Sequence, residues 1–357
     1  MTKIVLRTRR QMNWTLFKDI LSIDSTSGKE RDMALWLNDH LEAPHKDLME
    51  VGDGTLNLFL TWGTPRVVFC THMDTVPPYI APSFPEEHKS CHSERSEESP
   101  AITGRGSCDA KGQLFAMYTA CKQLEAEGCT DFGLLILAGE ETGSWGAKAF
   151  SKTGLTAPFL IVGEPTENKM VSAAKGTLSY DLKFTGEAFH SGYPQCGTSA
   201  VELFNQFYNA LKAVDWGVDP ELGETTWNIG LLHSDNPQNI LSPELTCRLY
   251  FRTTFISHQA VQKWMEAAPE LIGHLHVSAR GGDVPARYVT LPGFESAPVA
   301  FGSDAPHLTG FGHKIICGPG SIKVAHRDNE NVLAGDLEKA VEQYVKMCRF
   351  LQNIDNK

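Results

Sequence analysis

The sequence predicts an α/β domain with a mixed sheet, interrupted by an inserted α+β domain, and three observations carry that reading. Apolar runs and amphipathic stretches alternate from Met12 to about residue 174. Period-two strands with interspersed helices fill residues 175–282, and the first pattern resumes over 283–357. Alternating strands and helices build layered α/β folds. Half-buried alternating strands instead build antiparallel sheets with helices on one face. The expected boundaries are therefore 12–174 with 283–357 for one domain and 175–282 for the other.

Taken in order, helices are expected at about 14–22, where Trp14, Phe17, Ile20 and Leu21 share a face, and at 29–43. Strands follow at about 55–61 and 66–71, then a helix at 111–127 and a strand at 133–138. A short helix near 145–151 and a strand at 158–163 complete the first segment. In the insertion, TLSYDLKFTGEA alternates with period two, a helix is expected at 199–213, TTWNIGLLHS and ELTCRLYFRTTF read as strands, and a helix spans 257–272. HKIICGPG reads as a buried strand and GDLEKAVEQYVKMCRFLQ as a closing helix.

Composition narrows the class. With 357 residues, 41% of them hydrophobic, the chain buries one large core or two smaller ones without disulfides. A formal net charge of -11 argues against general nucleic-acid binding, and no apolar run approaches the roughly 20 residues of a membrane span. Nine cysteines without a CxxC spacing point to reduced thiols and a cytoplasmic protein. The first eleven residues, MTKIVLRTRRQ, are basic and patternless, and are expected to be a frayed extension or the product of a start codon assigned too early. Residues 85–99, PEEHKSCHSERSEES, are acidic, serine-rich and without apolar periodicity, which predicts a disordered loop in which His88, Cys91 and His92 hold no metal.

The chemistry gathers at the ends of apolar runs. VVFCTHMDTV ends in His72 with Asp74 two positions on, LLILAGEE in Glu140 and Glu141, LIVGEP in Glu164, and GPGSIKVAHRDNE in His326. GRGSCDAKGQ places Asp109 on a tight turn before a helix; it lacks the order of a phosphate loop, and an aspartate there repels phosphate but suits a bridge between two cations. A lone strand-end histidine is usually structural, Asp74 has the look of a turn residue before Pro77 and Pro78, and paired glutamates are usually surface. Burial of the preceding runs reverses the odds for the glutamates, and Asp74 is placed to hold the second ring nitrogen of His72. In an open α/β sheet the ligand crevice lies outside the carboxyl ends of the strands, so these groups share one rim. Two histidines and three carboxylates suit a dinuclear site for zinc or a similar borderline metal, with one position open for water.

HMDTVP, GRGSCDAKG, AGEETGSWGA, VGEP, FHSGYP and AHRDNE, in this order, resemble the acetylornithine deacetylase, succinyl-diaminopimelate desuccinylase and aminoacylase metallohydrolases. The resemblance covers nearly the whole chain. It implies a metallohydrolase catalytic domain with an inserted lid and dimerisation domain, two zinc ions with cobalt as a substitute, and a homodimer. It implies that His72, Asp109 and Glu164 hold one metal and Asp109, Glu141 and His326 the other. Asp74 is then the partner of His72, Glu140 the general base, and His190 of FHSG the oxyanion-stabilising histidine, often supplied across the dimer. Asn239 and Arg252 match the family's contacts to the substrate carboxylate; Arg252 in RLYFRTTF reads equally well as an exposed strand residue. A cis peptide after the bridging aspartate, Asp109–Ala110, is implied too. The implied reaction is hydrolysis of a small N-acyl amino acid, with N-acetylornithine in arginine biosynthesis the first expectation and acetylcitrulline or acetyl-lysine as variants. A dipeptidase or tripeptidase is the alternative enzyme, and a metal- and ligand-binding protein without catalysis the alternative of another class. An intact Glu140 speaks against the last.

Overall fold

The computed structural model describes residues 12–52, 54–85 and 99–354, which fall into two compact units. The expected loop at 85–99, with His88, Cys91 and His92, and the expected extension before Met12 lie almost wholly outside the described residues. One unit takes the chain up to Val171, Tyr288–Ala297 and the chain from Ser303; the other takes Ser172–Arg287 and Pro298–Gly302.

The first unit is layered around a six-stranded mixed sheet, in the order His45–Gly52, Thr55–Trp62, Phe132–Leu137, Val67–His72, Ala157–Val162 and Phe311–Ile316. The first three strands pair antiparallel and the last four parallel. Val67–His72 and Phe132–Leu137 are buried at every position, as strands covered on both faces must be. Helix Lys111–Ala126 packs its Phe115 ring against Phe17 of helix Trp14–Ser22 at 4.7 Å, and Tyr344 of helix Ala334–Gln352 meets Phe69 edge-on at 5.8 Å. Because four neighbouring strands run the same way, their carboxyl ends open on one rim.

The second unit is a four-stranded antiparallel sheet in the order Thr226–His233, Glu244–Thr253, Gly176–Thr185 and Leu275–Gly281. Along Glu244–Thr253 burial alternates: Leu245, Cys247, Leu249 and Phe251 are buried, while Arg248, Tyr250 and Arg252 point the other way. Phe207 of helix Ala200–Lys212 and Met265 of helix His258–Ile272 join the buried side. This is the α+β pattern expected of the insertion. No helix among the described residues is long and apolar enough to cross a membrane.

Candidate metal centre

The rim of the first unit holds the first group of candidates. His72 is the last residue of its strand, and its Nδ1 donates to the Asp74 carbonyl oxygen at 2.9 Å, with the Asp74 carboxylate 3.5 Å away. That bond leaves Nε2 as the coordinating atom. Asp74 itself lies two residues past the end of strand Val67–His72. Its carboxylate accepts the backbone N–H groups of Glu140 at 3.0 Å and Glu141 at 3.1 Å and the Ser27 hydroxyl at 3.1 Å. Asp74 thus orients the histidine and pins the glutamate turn together.

Glu140 and Glu141 follow strand Phe132–Leu137 on a turn and do not close the strand itself. Glu141 Oε1 lies 3.0 Å from His326 Nε2, which is also 3.3 Å from Asp109 Oδ2. The other Asp109 oxygen lies 3.2 Å from His72 Nε2. Ligand atoms of His72, Asp109 and Glu164 fall within 4.8 Å of one another, as do those of Asp109, Glu141 and His326. Asp109 is common to both groups, and the Asp109–Ala110 peptide is cis.

Electrostatics tests whether cations fit. Burial alone raises the Asp109 carboxyl, but His326 and His72 hold it well below the usual range. Burial disfavours a charged His72, yet Asp109 and Asp74 raise it well above an ordinary histidine, and Asp109 and Glu141 raise His326 to about 10. Burial pushes Glu164 well above an ordinary glutamate, with Glu140 and Asp109 adding to it, and its Oε1 is buried without a hydrogen-bond partner among the described residues. An orphaned Glu164 oxygen in one cluster, and two imidazoles that converge on the shared Asp109, make a donor set that two divalent cations satisfy. Glu140 stands outside both clusters. Burial raises it well above the usual range; His72 opposes this, and Asp304, Glu141 and Asp109 reinforce it.

Sequence reasoning missed Asp304, which is buried, has one oxygen without a partner among the described residues, and is raised by burial to about 6. The segment around it, AFGSDAPH, carries no apolar run to flag it. It also left Arg105 and Glu330 without roles, although both sit in quoted motifs.

His190, Asn239 and Arg252 belong to the second unit. His190 is exposed, and its Nδ1 accepts the Gly192 N–H at 3.1 Å, so the neutral ring carries its proton on Nε2 as an available donor. The backbone next to it is tied to Asn239, whose carbonyl accepts the Ser191 N–H at 2.9 Å. Arg252 is half-buried with its guanidinium 5.0 Å over the Tyr250 ring, on the face away from the core. His190 and Asn239 are thus neighbours within the unit.

Residues 68–349 match the family described as Peptidase family M20/M25/M40, and the chain belongs to that family. It is a hydrolase of the M20 type with a candidate dinuclear metal site. It is 32% identical over 372 residues to a probable carboxypeptidase of Aspergillus flavus, an alignment covering 92% of this chain and 85% of that one. Among solved structures it is similar in fold to a tripeptidase from Staphylococcus aureus, with TM-score 0.76, 21% identity, and 95% and 97% of the two chains covered. An M20 family metallo-carboxypeptidase from Sulfolobus solfataricus gives TM-score 0.72 at 17% identity, covering 95% and 98%.

Proposed function

We propose that the chain is a metal-dependent exopeptidase-type amidohydrolase that cleaves the amide bond on the amino side of a residue bearing a free α-carboxylate. The observation that carries this reading is the pair of three-ligand clusters sharing Asp109, with the partly buried Glu140 beside them but in neither. His72, Asp109 and Glu164 would hold one ion and Asp109, Glu141 and His326 the other. Two such ions, zinc by preference and cobalt as a substitute, would supply positive charge that acidifies the attacking water and polarises the carbonyl. Glu140 then takes the proton of that water and delivers it to the departing amine. The Nε2–H of His190 supplies a hydrogen bond to the oxyanion, and Arg252 with Asn239 holds the α-carboxylate.

A C-terminal peptide residue and an N-acyl amino acid present the same leaving group, so one site geometry serves both. The similar proteins are named for peptide hydrolysis, which puts short peptides ahead of N-acetylornithine. We also assign residues 12–174 with 283–357 to catalysis and 175–282 to a lid that pairs two subunits. The decisive assay gives zinc-loaded protein short peptides with free or amidated carboxyl ends, acetylornithine, acetylcitrulline and acetyl-lysine. Release of C-terminal residues from free-carboxyl peptides, faster than hydrolysis of the acylated amino acids and with the amidated peptides spared, is the expected result; equal cleavage of the amidated set, or no hydrolysis at all, would refute the reading. For pairing, equal mixing of His190→Ala and Glu140→Ala proteins with subunit exchange should restore about a quarter of all sites if His190 serves the neighbouring subunit.

A further inference from the structure

Arg105 of GRGSCDAKG and Glu330 of AHRDNE are two charged motif residues that the reaction leaves unused, and they pair with each other. Their side chains are 1% exposed, and Nη1 meets Oε2 at 2.6 Å. Buried ion pairs add little net stability over apolar neighbours, because desolvating two ions offsets their attraction. Geometry is what this pair supplies. Glu330 Oε1 accepts the backbone N–H groups of Gly106 at 2.9 Å and of Cys108 and Asp109 at 3.1 Å. Converging N–H groups of this kind form a concave anion cradle, here filled by the chain's own carboxylate. Arg105 donates from Nε to the Pro78 carbonyl and from Nη1 to the Arg327 carbonyl, both at 3.2 Å. One end of the pair fixes the backbone of Asp109, and the other the residue after His326.

The two candidate clusters depend on this clip unequally. In the first, His72 and Glu164 are buried and stand at or just past the ends of the parallel strands Val67–His72 and Ala157–Val162, so only Asp109 hangs on the clip. In the second, Asp109 and His326 both do. His326 is exposed and its backbone sits at φ 63°, a left-handed conformation that a non-glycine residue keeps only under outside restraint. We propose that Arg105 and Glu330 are a positioning pair for the Asp109–Glu141–His326 cluster, holding two of its three ligands at the spacing one divalent cation requires. When the pair is broken, that cluster loses affinity first and His72–Asp109–Glu164 keeps its ion.

This rests on the metal-dependent reading above, and the test separates the two. Metal-stripped wild type, Arg105→Met, Arg105→Lys and Glu330→Gln are titrated with zinc against a chromophoric chelator, and each metal-stripped protein is melted as a control. Wild type should bind two equivalents. Arg105→Met and Glu330→Gln should lose at least about tenfold in affinity for one equivalent and less than about threefold for the other. Arg105→Lys should fall between, because it keeps the charge and loses the fork. Added to His326→Ala, the Arg105→Met change should leave the one remaining equivalent within about threefold of His326→Ala alone. Equal weakening of both equivalents, or a lowered melting temperature with both affinities intact, would overturn the proposal while wild type still binds two ions. A wild type that takes up no zinc would remove the functional reading and this one together. If Arg105→Met does not fold, Arg105→Lys and Glu330→Gln decide the matter on the same criteria.

Discussion

The two units keep their candidate groups in opposite conditions. In the first, His72, Asp74, Asp109 and Glu164 are buried, and His72, Asp109, Glu140, Glu164 and His326 all bind protons abnormally. In the second, His190 and Asn239 are exposed and Arg252 is half-buried over a tyrosine ring. Crowding carboxylates away from water is unfavourable by several kcal/mol unless cations or protons neutralise them. Divalent cations held by the first group would relieve that unfavourable crowding. The second is cheap to maintain, and the role proposed for it would show only when a substrate is present.

Four substitutions, with His72→Ala as a reference for metal loss, break or sharpen that contrast. Glu140→Gln should have the largest effect: kcat falls about 10²–10⁴-fold, the usual contribution of a general acid–base, while metal content stays at two per chain. Elemental analysis decides the matter, since a metal-free variant would make Glu140 a ligand and reverse its division of labour with Glu141. His190→Ala should follow, with kcat down about 10²–10³-fold, as for loss of one oxyanion donor. Its metal content and melting temperature should match wild type, in contrast to His72→Ala, which should lose metal. Metal loss in His190→Ala would put both units under one electrostatic regime.

Arg252→Met comes third. Losing a charge-assisted hydrogen bond to a carboxylate should raise KM about 10–100-fold with little change in kcat. Peptides with amidated carboxyl ends sharpen the point: if their poor turnover falls by the same factor, Arg252 acts on the fold of its sheet and not on the substrate.

The same contrast governs what was legible in the sequence. Helix Trp14–Ser22 and strand Val67–His72 fall within a residue of their expected places because one has a clear apolar stripe and the other is wholly apolar. Strand His45–Gly52 escaped notice; it is an edge strand whose HKDLMEVG is mostly exposed, so no apolar face marks it. Leu275–Gly281 escaped for the same reason, with Leu275 its one buried residue. His72, Glu141 and Glu164 stood out because apolar runs lead to them, and Asp109 because it sits on a tight turn before a helix. Their sorting into two clusters, and the distinction between Glu140 and Glu141, came only with the family resemblance. The Arg105–Glu330 clip had no local signature at all, since Glu330 bonds to Gly106, Cys108 and Asp109 from more than two hundred residues away.

The smallest effect on activity is expected at Lys111, which carries the burial argument to a cation. Lys111 is 1% exposed, its Nζ donates to the Ile23 carbonyl at 2.6 Å, and burial lowers it to about 7. The unfolded chain holds that proton up to about pH 10.4. Below pH 7 both states are protonated and the full penalty of the buried charge applies. Between about pH 7 and 10 the unfolded state binds more protons than the native one, so native stability rises with pH. Lys111→Met abolishes this contribution. The stability of metal-stripped wild type relative to Lys111→Met should therefore grow by up to about 1.4 kcal/mol per pH unit across that window. Urea midpoints at pH 6, 8 and 9.5 measure it, and taking the difference between the two proteins cancels every other titrating group. A difference that stays flat with pH would mean that Lys111 keeps its proton in the native state, and that burial in this unit displaces carboxylates without displacing its lysine.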